Sequence, residues 1–275
     1  MNYSVNNEHW LEGEPVVKRD YLAAKNKSKF AANFPDSIII HFTAGRSGQS
    51  SAKYLADPSV KASAHIVIGR EGTVYQLAPL DTITWHAGVS SYGGRNNWNE
   101  YSIGIELDNA GPLTKAGNEY LSWFGGRYPE NEAIYDIHRN ENQPRYWHTF
   151  TQLQIEACEV VCRAIMAKYA IKSILGHEEI SVGRKVDPGP AFPLDKFREQ
   201  LLTQNRQSGE SLEVAPQEGE VITDKLNIRE DASVHARLVS SPLAQGQKVT
   251  IVDEKNGWYK VKTEIEGWVN KAYVR

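Results

Sequence analysis

Hydrophobic positions before about residue 200 follow two periods, one typical of strands and one typical of helices. Residues 38–40 are three consecutive isoleucines, and such a β-branched run predicts a buried strand. Residues 64–68 and 73–77 flank a glycine-bearing loop and predict a hairpin. Residues 102–107 carry apolar side chains at alternate positions and predict a further strand.

The clearest helical pattern covers residues 151–170, which carry a broad apolar face and begin at Thr151, a suitable N-cap. Cys158 and Cys162 lie within this segment, and we expect them in the core because so few cysteines do not make a disulfide framework. Strands with interspersed helices predict an α/β or α+β domain, with a central mixed β-sheet flanked by helices.

Residues 111–147 fit neither period and include Gly125-Gly126, Pro129, Pro144 and several aromatic residues. A structureless loop of this length is unusual in a compact domain. We therefore expect a partly ordered excursion that could rim a cleft. Whether it narrows the cleft or extends it is left open by the sequence.

Residues 204–218 are polar and without an apolar period, and we interpret them as a linker. The linker separates a first domain, residues 1–203 with a core at about 35–200, from a second domain, residues 219–275. Only strand-like runs follow the linker, separated by glycine-bearing turns. This alternation predicts a small all-β barrel.

Composition and charge exclude several classes of protein. Of 275 residues, 40% are hydrophobic and 24% charged, which excludes global disorder. The 31 basic and 34 acidic residues give a net charge of −3, which argues against nucleic-acid binding. No apolar run approaches the roughly 18 residues of a membrane span, and the first residues show no signal-peptide pattern. We expect a monomer that binds neither nucleic acid nor membrane.

Three residues could bind a metal ion. His41 and His177 each follow a predicted strand, and Asp187 precedes a Pro-Gly turn. Two imidazoles and one carboxylate, with a fourth position open, form a catalytic zinc arrangement. A histidine after a buried strand is more often structural, however, and an aspartate before Pro-Gly is usually a turn residue. Without a local H-E-x-x-H motif, these residues alone leave both interpretations open.

Six segments occur together in one order: IHFTAG at 40–45, SAH at 63–65, WHAG at 85–88, SIGIEL at 102–107, GHEEI at 176–180 and GRKVDPGPAF at 183–192. In this combination the chain resembles the zinc-dependent N-acetylmuramoyl-L-alanine amidases of the type-2 amidase family over about residues 35–200. Within the family it is most similar to the bacterial enzymes that accept anhydro-muropeptides.

The resemblance implies a set of roles. His41, His177 and Asp187 would bind one Zn²⁺ ion per chain, Glu106 would be the general base, and Lys185 would stabilise the negative charge that develops on the carbonyl oxygen. The substrate would be peptidoglycan or its muropeptides, cut at the amide between the lactyl group of N-acetylmuramic acid and L-alanine. Further substrate contacts, each with a structural role as its alternative, would be Lys61, His65, Trp85 and His86. The histidines that match no segment are interpreted as surface or structural residues: His9, His138, His148 and His235.

The second domain resembles a bacterial SH3-like domain over about residues 219–275. Such domains commonly bind cell-wall peptides or glycans, although a spacer or a partner-docking role is equally open. Trp258 and Trp268 could be core or binding residues. The enzyme would act in the cytoplasm on recycled fragments, or in the periplasm after delivery without a signal peptide. The alternative function is a recognition protein that binds peptidoglycan without cutting it and need not keep Asp187, Glu106 and Lys185 together.

Overall fold

The computed structural model describes residues 1–204, 217–232, 236–255 and 258–264. The elements of the first part, in chain order, are β1 (Asn2–Val5), β2 (Leu11–Glu14), β3 (Ser37–Phe42), α1 (Gly48–Ala56), β4 (Ile66–Ile68), β5 (Val74–Gln76), β6 (Ser91–Tyr92), β7 (Arg95–Asn96), β8 (Ser102–Leu107), β9 (Pro112–Ala116), β10 (Glu119–Leu121), β11 (Arg127–Tyr128), β12 (Ala133–Ile137), β13 (Pro144–His148), α2 (Gln152–Lys168), β14 (Ser173–Gly176), α3 (His177–Ile180) and α4 (Leu194–Gln204). Within the described residues, no helix is both long and apolar enough to cross a membrane.

The central sheet has five strands in the order β14-β3-β8-β4-β5. The first four strands are parallel to one another, and β5 pairs with β4 as an antiparallel hairpin. The predicted strands at residues 38–40 and 102–107, the predicted hairpin and the mixed sheet are therefore confirmed. The predicted helix is α2, and its N-cap is Thr151, whose side chain accepts the backbone N–H of Gln154.

Side chains on the two faces of the central sheet have different surroundings because they alternate along each strand. Ile38, Ile40, Ile103 and Ile105 belong to the main core together with α2, in which Cys158 and Cys162 are fully buried as expected. Ile39 belongs to a separate cluster on the opposite side. His41 has the parity of Ile39, and the register pairs it with Glu106 on β8. Both polar side chains thus project from the face that α2 leaves free.

Residues 112–148 form a second five-stranded sheet, in the order β11-β10-β9-β13-β12. The expected excursion is therefore more regular than the sequence indicated. Leu113, Tyr120 and Ala110 form its small buried core. All its pairings are antiparallel. Trp123 stays largely exposed, and its Nε1 donates to the carbonyl of Ala44, 2.9 Å away, in the segment that follows β3.

The second part of the chain contains β15 (Gln217–Glu220), β16 (Lys225–Leu226), β17 (Leu243–Ala244), β18 (Lys248–Lys255) and β19 (Trp258–Lys262). These strands form the three-stranded sheet β15-β18-β19 and the pair β16-β17. β15 begins two residues before the predicted domain boundary. Residues 205–216, most of the predicted linker, lie outside the described residues, as does the predicted strand at 266–270, which contains Trp268.

The second part packs against α2 and the residues just before it. Thr223 Oγ1 donates to the carbonyl of Phe150 at 2.6 Å. The guanidinium of Arg229 lies 3.1 Å from both carboxylate oxygens of Glu156, and both side chains are about nine-tenths buried. Gln152 Nε2 also donates to Glu156 at 2.7 Å. The buried carboxylate of α2 therefore depends on a partner from the other domain.

We expect Arg229→Ala to lower the free energy of unfolding by about 1–3 kcal/mol, because it leaves the buried Glu156 carboxylate without its cation. Thermal and urea unfolding measure this change. Arg237→Ala is the matched control, since Arg237 pairs with Glu230 through exposed side chains and should change stability little. Equal effects of the two variants would contradict a stabilising domain contact.

Candidate metal centre

His41, His177 and Asp187 come together at the carboxyl ends of β3 and β14, where parallel sheets commonly place functional side chains. His41 Nδ1 lies 2.9 Å from His177 Nδ1 and 2.9 Å from Asp187 Oδ2. His177 Nδ1 lies 2.9 Å from the same oxygen. All three residues are buried, so the structure brings together the three predicted ligands, which the sequence separates by up to 146 positions.

The hydrogen bonds behind His41 determine which of its nitrogens carries the proton. His86 Nε2 lies 3.1 Å from the carbonyl oxygen of Ser102, which can only accept, so this nitrogen donates. His86 Nδ1 is then an acceptor, and it receives the Nε2 proton of His41 across 3.0 Å. His41 Nδ1 is therefore left unprotonated toward His177 and Asp187.

The ring of His177 is oriented in the same way. Its Nε2 lies 3.0 Å from the carbonyl oxygen of Ala87 and can donate to it, so its Nδ1 faces His41 and Asp187. Two imidazole nitrogens and a carboxylate oxygen then meet at 2.9 Å. Three ligand atoms this close together fit a bound cation. Two imidazole nitrogens and one carboxylate oxygen are a donor set typical of catalytic zinc.

The charges at the cluster favour the ligand forms of these groups. Burial and the neighbouring His177 lower the pKa of His41 to about 4, so its ring is neutral near pH 7. Burial alone would raise the pKa of Asp187, but the adjacent imidazoles of His177 and His41 outweigh it and hold the pKa below its usual range. Metal binding requires neutral imidazole and ionised carboxylate. His41 and Asp187 meet these conditions.

Glu106 and Lys185 lie beside the cluster. Within the part of the chain that the structure describes, Glu106 Oε2 is buried and has no hydrogen-bond partner. Burial and the nearby charge of Asp187 raise the pKa of Glu106 well above its ordinary value, while Lys185 opposes the rise. A buried carboxylate without a partner is costly. Its persistence here suits a group that meets a substrate or water rather than one that stabilises the fold.

Two of the residues predicted to contact substrate, His65 and His86, are buried. The ring of His65 is fully buried, with Nε2 donating to the carbonyl of Thr82 at 2.7 Å and Nδ1 accepting the N–H of Gly104 at 3.0 Å. His86 is only 7% exposed, and its ring nitrogens bond to His41 and Ser102. His86 therefore supports the candidate ligand His41 from behind, whereas His65 bonds to Thr82 and Gly104.

The other two predicted substrate contacts lie at the surface. Lys61 is exposed, and 42% of the surface of Trp85 is accessible. Lys25 Nζ lies 6.0 Å from the centre of the Trp85 ring. Trp85 directly precedes His86, the residue that bonds to the candidate ligand His41. Substrate contact by Lys61 and Trp85 remains a prediction.

Sequence reasoning missed two residues that hold the loop beside the cluster. Asn99 Oδ1 accepts the backbone N–H groups of His86 at 3.0 Å and Ala87 at 2.8 Å. The Arg184 guanidinium donates to the carbonyls of Ala87 at 2.9 Å and Val89 at 2.7 Å. Arg184 lies within a matching segment, next to Lys185, and this position was the available signal. Asn99 carried none.

Comparison with known families gives two matches along the chain. Residues 31–190 match the family described as N-acetylmuramoyl-L-alanine amidase. Residues 224–275 match the bacterial SH3 domain. The resemblances predicted from the sequence are therefore confirmed for both parts of the chain.

Curated relatives point to the same family. The 1,6-anhydro-N-acetylmuramyl-L-alanine amidase AmpD of Escherichia coli (strain K12) is 33% identical over 141 residues, which are 50% of this chain and 58% of AmpD. The N-acetylmuramoyl-L-alanine amidase AmiD of the same organism is 30% identical over 196 residues, 67% of this chain and 60% of AmiD. The chain thus spans less than two thirds of the length of these relatives.

Among solved structures, a selenomethionine derivative of AmpD superposes with a TM-score of 0.48 and 26% identity, covering 70% of this chain and 96% of AmpD. A complex of E. coli AmiD superposes with a TM-score of 0.44 and 26% identity, covering 70% of this chain and 63% of AmiD. The family match covers more than half of the chain, from residue 31 to residue 190. The chain therefore belongs to the N-acetylmuramoyl-L-alanine amidase family.

Proposed function

We propose that this protein is a zinc-dependent amidase that hydrolyses the amide between N-acetylmuramic acid, or its anhydro form, and L-alanine. The observation that supports it best is the meeting of three candidate ligand atoms beside Glu106, whose buried Oε2 has no hydrogen-bond partner among the described residues. The relatives AmpD and AmiD are named for this activity. A protein that only recognises peptidoglycan has no use for such a carboxylate, so the combination favours catalysis.

His41, His177 and Asp187 would hold the zinc ion. An amide is a poor electrophile, and its amine is a poor leaving group. When bound, zinc polarises the amide carbonyl and increases the acidity of water, which makes the attack easier. Glu106 takes a proton from the attacking water and returns it to the departing amine of L-alanine. Its raised pKa lets one carboxyl group perform both transfers. The cation of Lys185 stabilises the charge that develops on the carbonyl oxygen.

The substrate class follows from the family. The experiment tests whether the substrate is a soluble muropeptide or the intact polymer. Purified protein is incubated with soluble anhydro-muropeptides and, separately, with intact peptidoglycan, and the products are identified by mass spectrometry. We expect free stem peptides that begin with L-alanine and its free amine, together with sugars whose lactyl group now ends in a free carboxylate. Products cut at another bond, or no cleavage of either substrate by zinc-loaded protein, would refute the proposed reaction.

We expect purified protein to contain about one zinc ion per chain, since the three candidate ligands form one cluster in the described residues. Elemental analysis after dialysis gives the stoichiometry. A chelator should remove the ion together with the activity, and added Zn²⁺ should restore both. A stoichiometry near zero after reconstitution would contradict the assignment of the ligands.

For the second domain, we propose that the bacterial SH3 part binds cell-wall polymer and holds the amidase on it, which raises the effective substrate concentration. The support is the family match over residues 224–275. The test sediments Glu106→Gln protein with insoluble peptidoglycan, with and without excess soluble muropeptide. Sedimentation that survives the competitor supports a second polymer site, whereas complete release places all binding in the amidase domain.

A further inference from the structure

Two acidic residues follow the candidate ligand His177 directly, and each binds a backbone segment of the metal centre. Glu179 Oε2 accepts the N–H of Gly176 at 2.9 Å, just before the ligand. Glu178 Oε2 accepts the N–H of Gly189 at 3.0 Å, two residues after Asp187. The backbone N–H of Glu178 also donates to the carbonyl of Asp187 at 2.8 Å. Glu178 thus ties together the two segments that carry His177 and Asp187.

The residues that directly follow β12 of the second sheet supply the partners that hold Glu178. His138 Nε2 lies 2.6 Å from Glu178 Oε2, and Arg139 Nε lies 2.8 Å from Oε1. The backbone N–H of Asn140 donates to His138 Nδ1 at 3.1 Å, so Nε2 carries the proton and donates. The side chains of His138 and Glu178 are almost completely buried. Every oxygen of this carboxylate is therefore fixed by a named donor.

The same sheet also contacts the loop of Asp187 directly. Gly189 has a φ of +72°, and a Cβ placed there would lie 3.0 Å from the Trp147 ring. The indole of Trp147 stacks on His138, with ring centres 5.6 Å apart and an angle of 25° between the planes. The Asp187 loop therefore rests on Trp147 and is bonded to Glu178, and His138 contacts both.

We propose that His138 is a positioning residue of the metal centre, which acts through Glu178 to hold the Asp187 and His177 segments in ligand geometry. This inference rests on the proposed zinc site and extends it to the second sheet. Groups that orient metal ligands typically contribute 10- to 100-fold to metal affinity. Because His138 acts through one intermediate residue, we expect a contribution near the lower end, about 10-fold.

The experiment compares the Zn²⁺ dissociation constants of full-length variants, measured by competition with a chromophoric chelator. His138→Ala removes the donor, and His138→Gln keeps an N–H near the position of Nε2. His148→Ala is the matched control: His148, the last residue of β13, is also buried, its Nε2 lies 3.2 Å from Glu132, and its Nδ1 accepts the N–H of Ala110 at 3.0 Å. It has no contact with the ligand segments among the described residues.

We expect a rise of about 10-fold in the dissociation constant for His138→Ala, and less than threefold for His138→Gln and His148→Ala. The visible spectrum of the Co²⁺-loaded protein should change only in His138→Ala. If that variant does not fold, Arg139→Ala, which alters a side chain that is only one-third exposed, takes its place with the same expected direction. Equal affinities of His138→Ala and His148→Ala would overturn the inference. If wild-type protein binds no zinc, the proposed metal centre fails first, and this inference fails with it.

Discussion

Replacing Glu106 by glutamine should lower kcat for muropeptide hydrolysis by about 100- to 10,000-fold, because the amide cannot take the proton of the attacking water. The substitution keeps the shape of the side chain. It also leaves the three candidate ligands unchanged, so the zinc content should stay at the wild-type value. Glutamine puts a neutral group in place of the buried Oε2, which has no hydrogen-bond partner among the described residues, and the free energy of unfolding should therefore not fall.

The pH profile gives a second readout for Glu106. A general base works only when ionised, so the wild-type rate should fall as the pH is lowered through the pKa of Glu106. Burial and the charge of Asp187 raise that pKa, which moves the fall to higher pH than an ordinary glutamate would give. Glu119→Gln, which changes an exposed partner of Arg127, is the control and should retain wild-type kcat. A Glu106→Gln rate within threefold of wild type would rule out the general-base assignment.

The sequence predicted which side chains share a face of each strand better than it predicted the order of the strands in the sheet. Alternation along residues 37–42 and 102–107 already sets the parity of His41 and Glu106. It does not show that β3 lies between β14 and β8, and this strand order brings His177 to His41. Pairing between distant segments depends on the burial of the whole sheet, which local patterns do not record. The ligand set was therefore reached through family resemblance rather than through spacing.

Local sequence patterns did not predict the second sheet. Its strands are short, contain Pro112 and Pro144, and pair out of sequence order, with β13 between β9 and β12. No period marks such strands. His138 and His148 matched no motif and were interpreted as surface or structural residues, and the structure buries both. The role of His138 depends on a contact with Glu178, 40 positions away in sequence, which only the folded chain reveals.

Gly104→Ala should weaken zinc binding by up to about 100-fold, the upper end for a direct partner of a metal ligand. Gly104 lies on β8, facing the metal cluster, and its neighbour there is the ring of His86. A Cβ at this position would lie 2.4 Å from His86 Cγ and 2.6 Å from Nδ1. The ring must therefore move, and its Nδ1 is the atom that accepts the proton of His41. Once that bond is lost, His41 is free to rotate and to carry its proton on the ligand nitrogen.

The overpacking itself should lower the free energy of unfolding by about 1–3 kcal/mol. A double-mutant cycle separates this clash from other effects of the methyl group. If the clash with His86 is the cause, Gly104→Ala should cost little further stability in a His86→Ala background, and zinc affinity should be equally weak in both His86→Ala proteins. Additive losses would instead show that the methyl group acts on β8 independently of His86. The glycine of the SIGIEL segment would then serve strand packing, and the support of His41 would lie elsewhere.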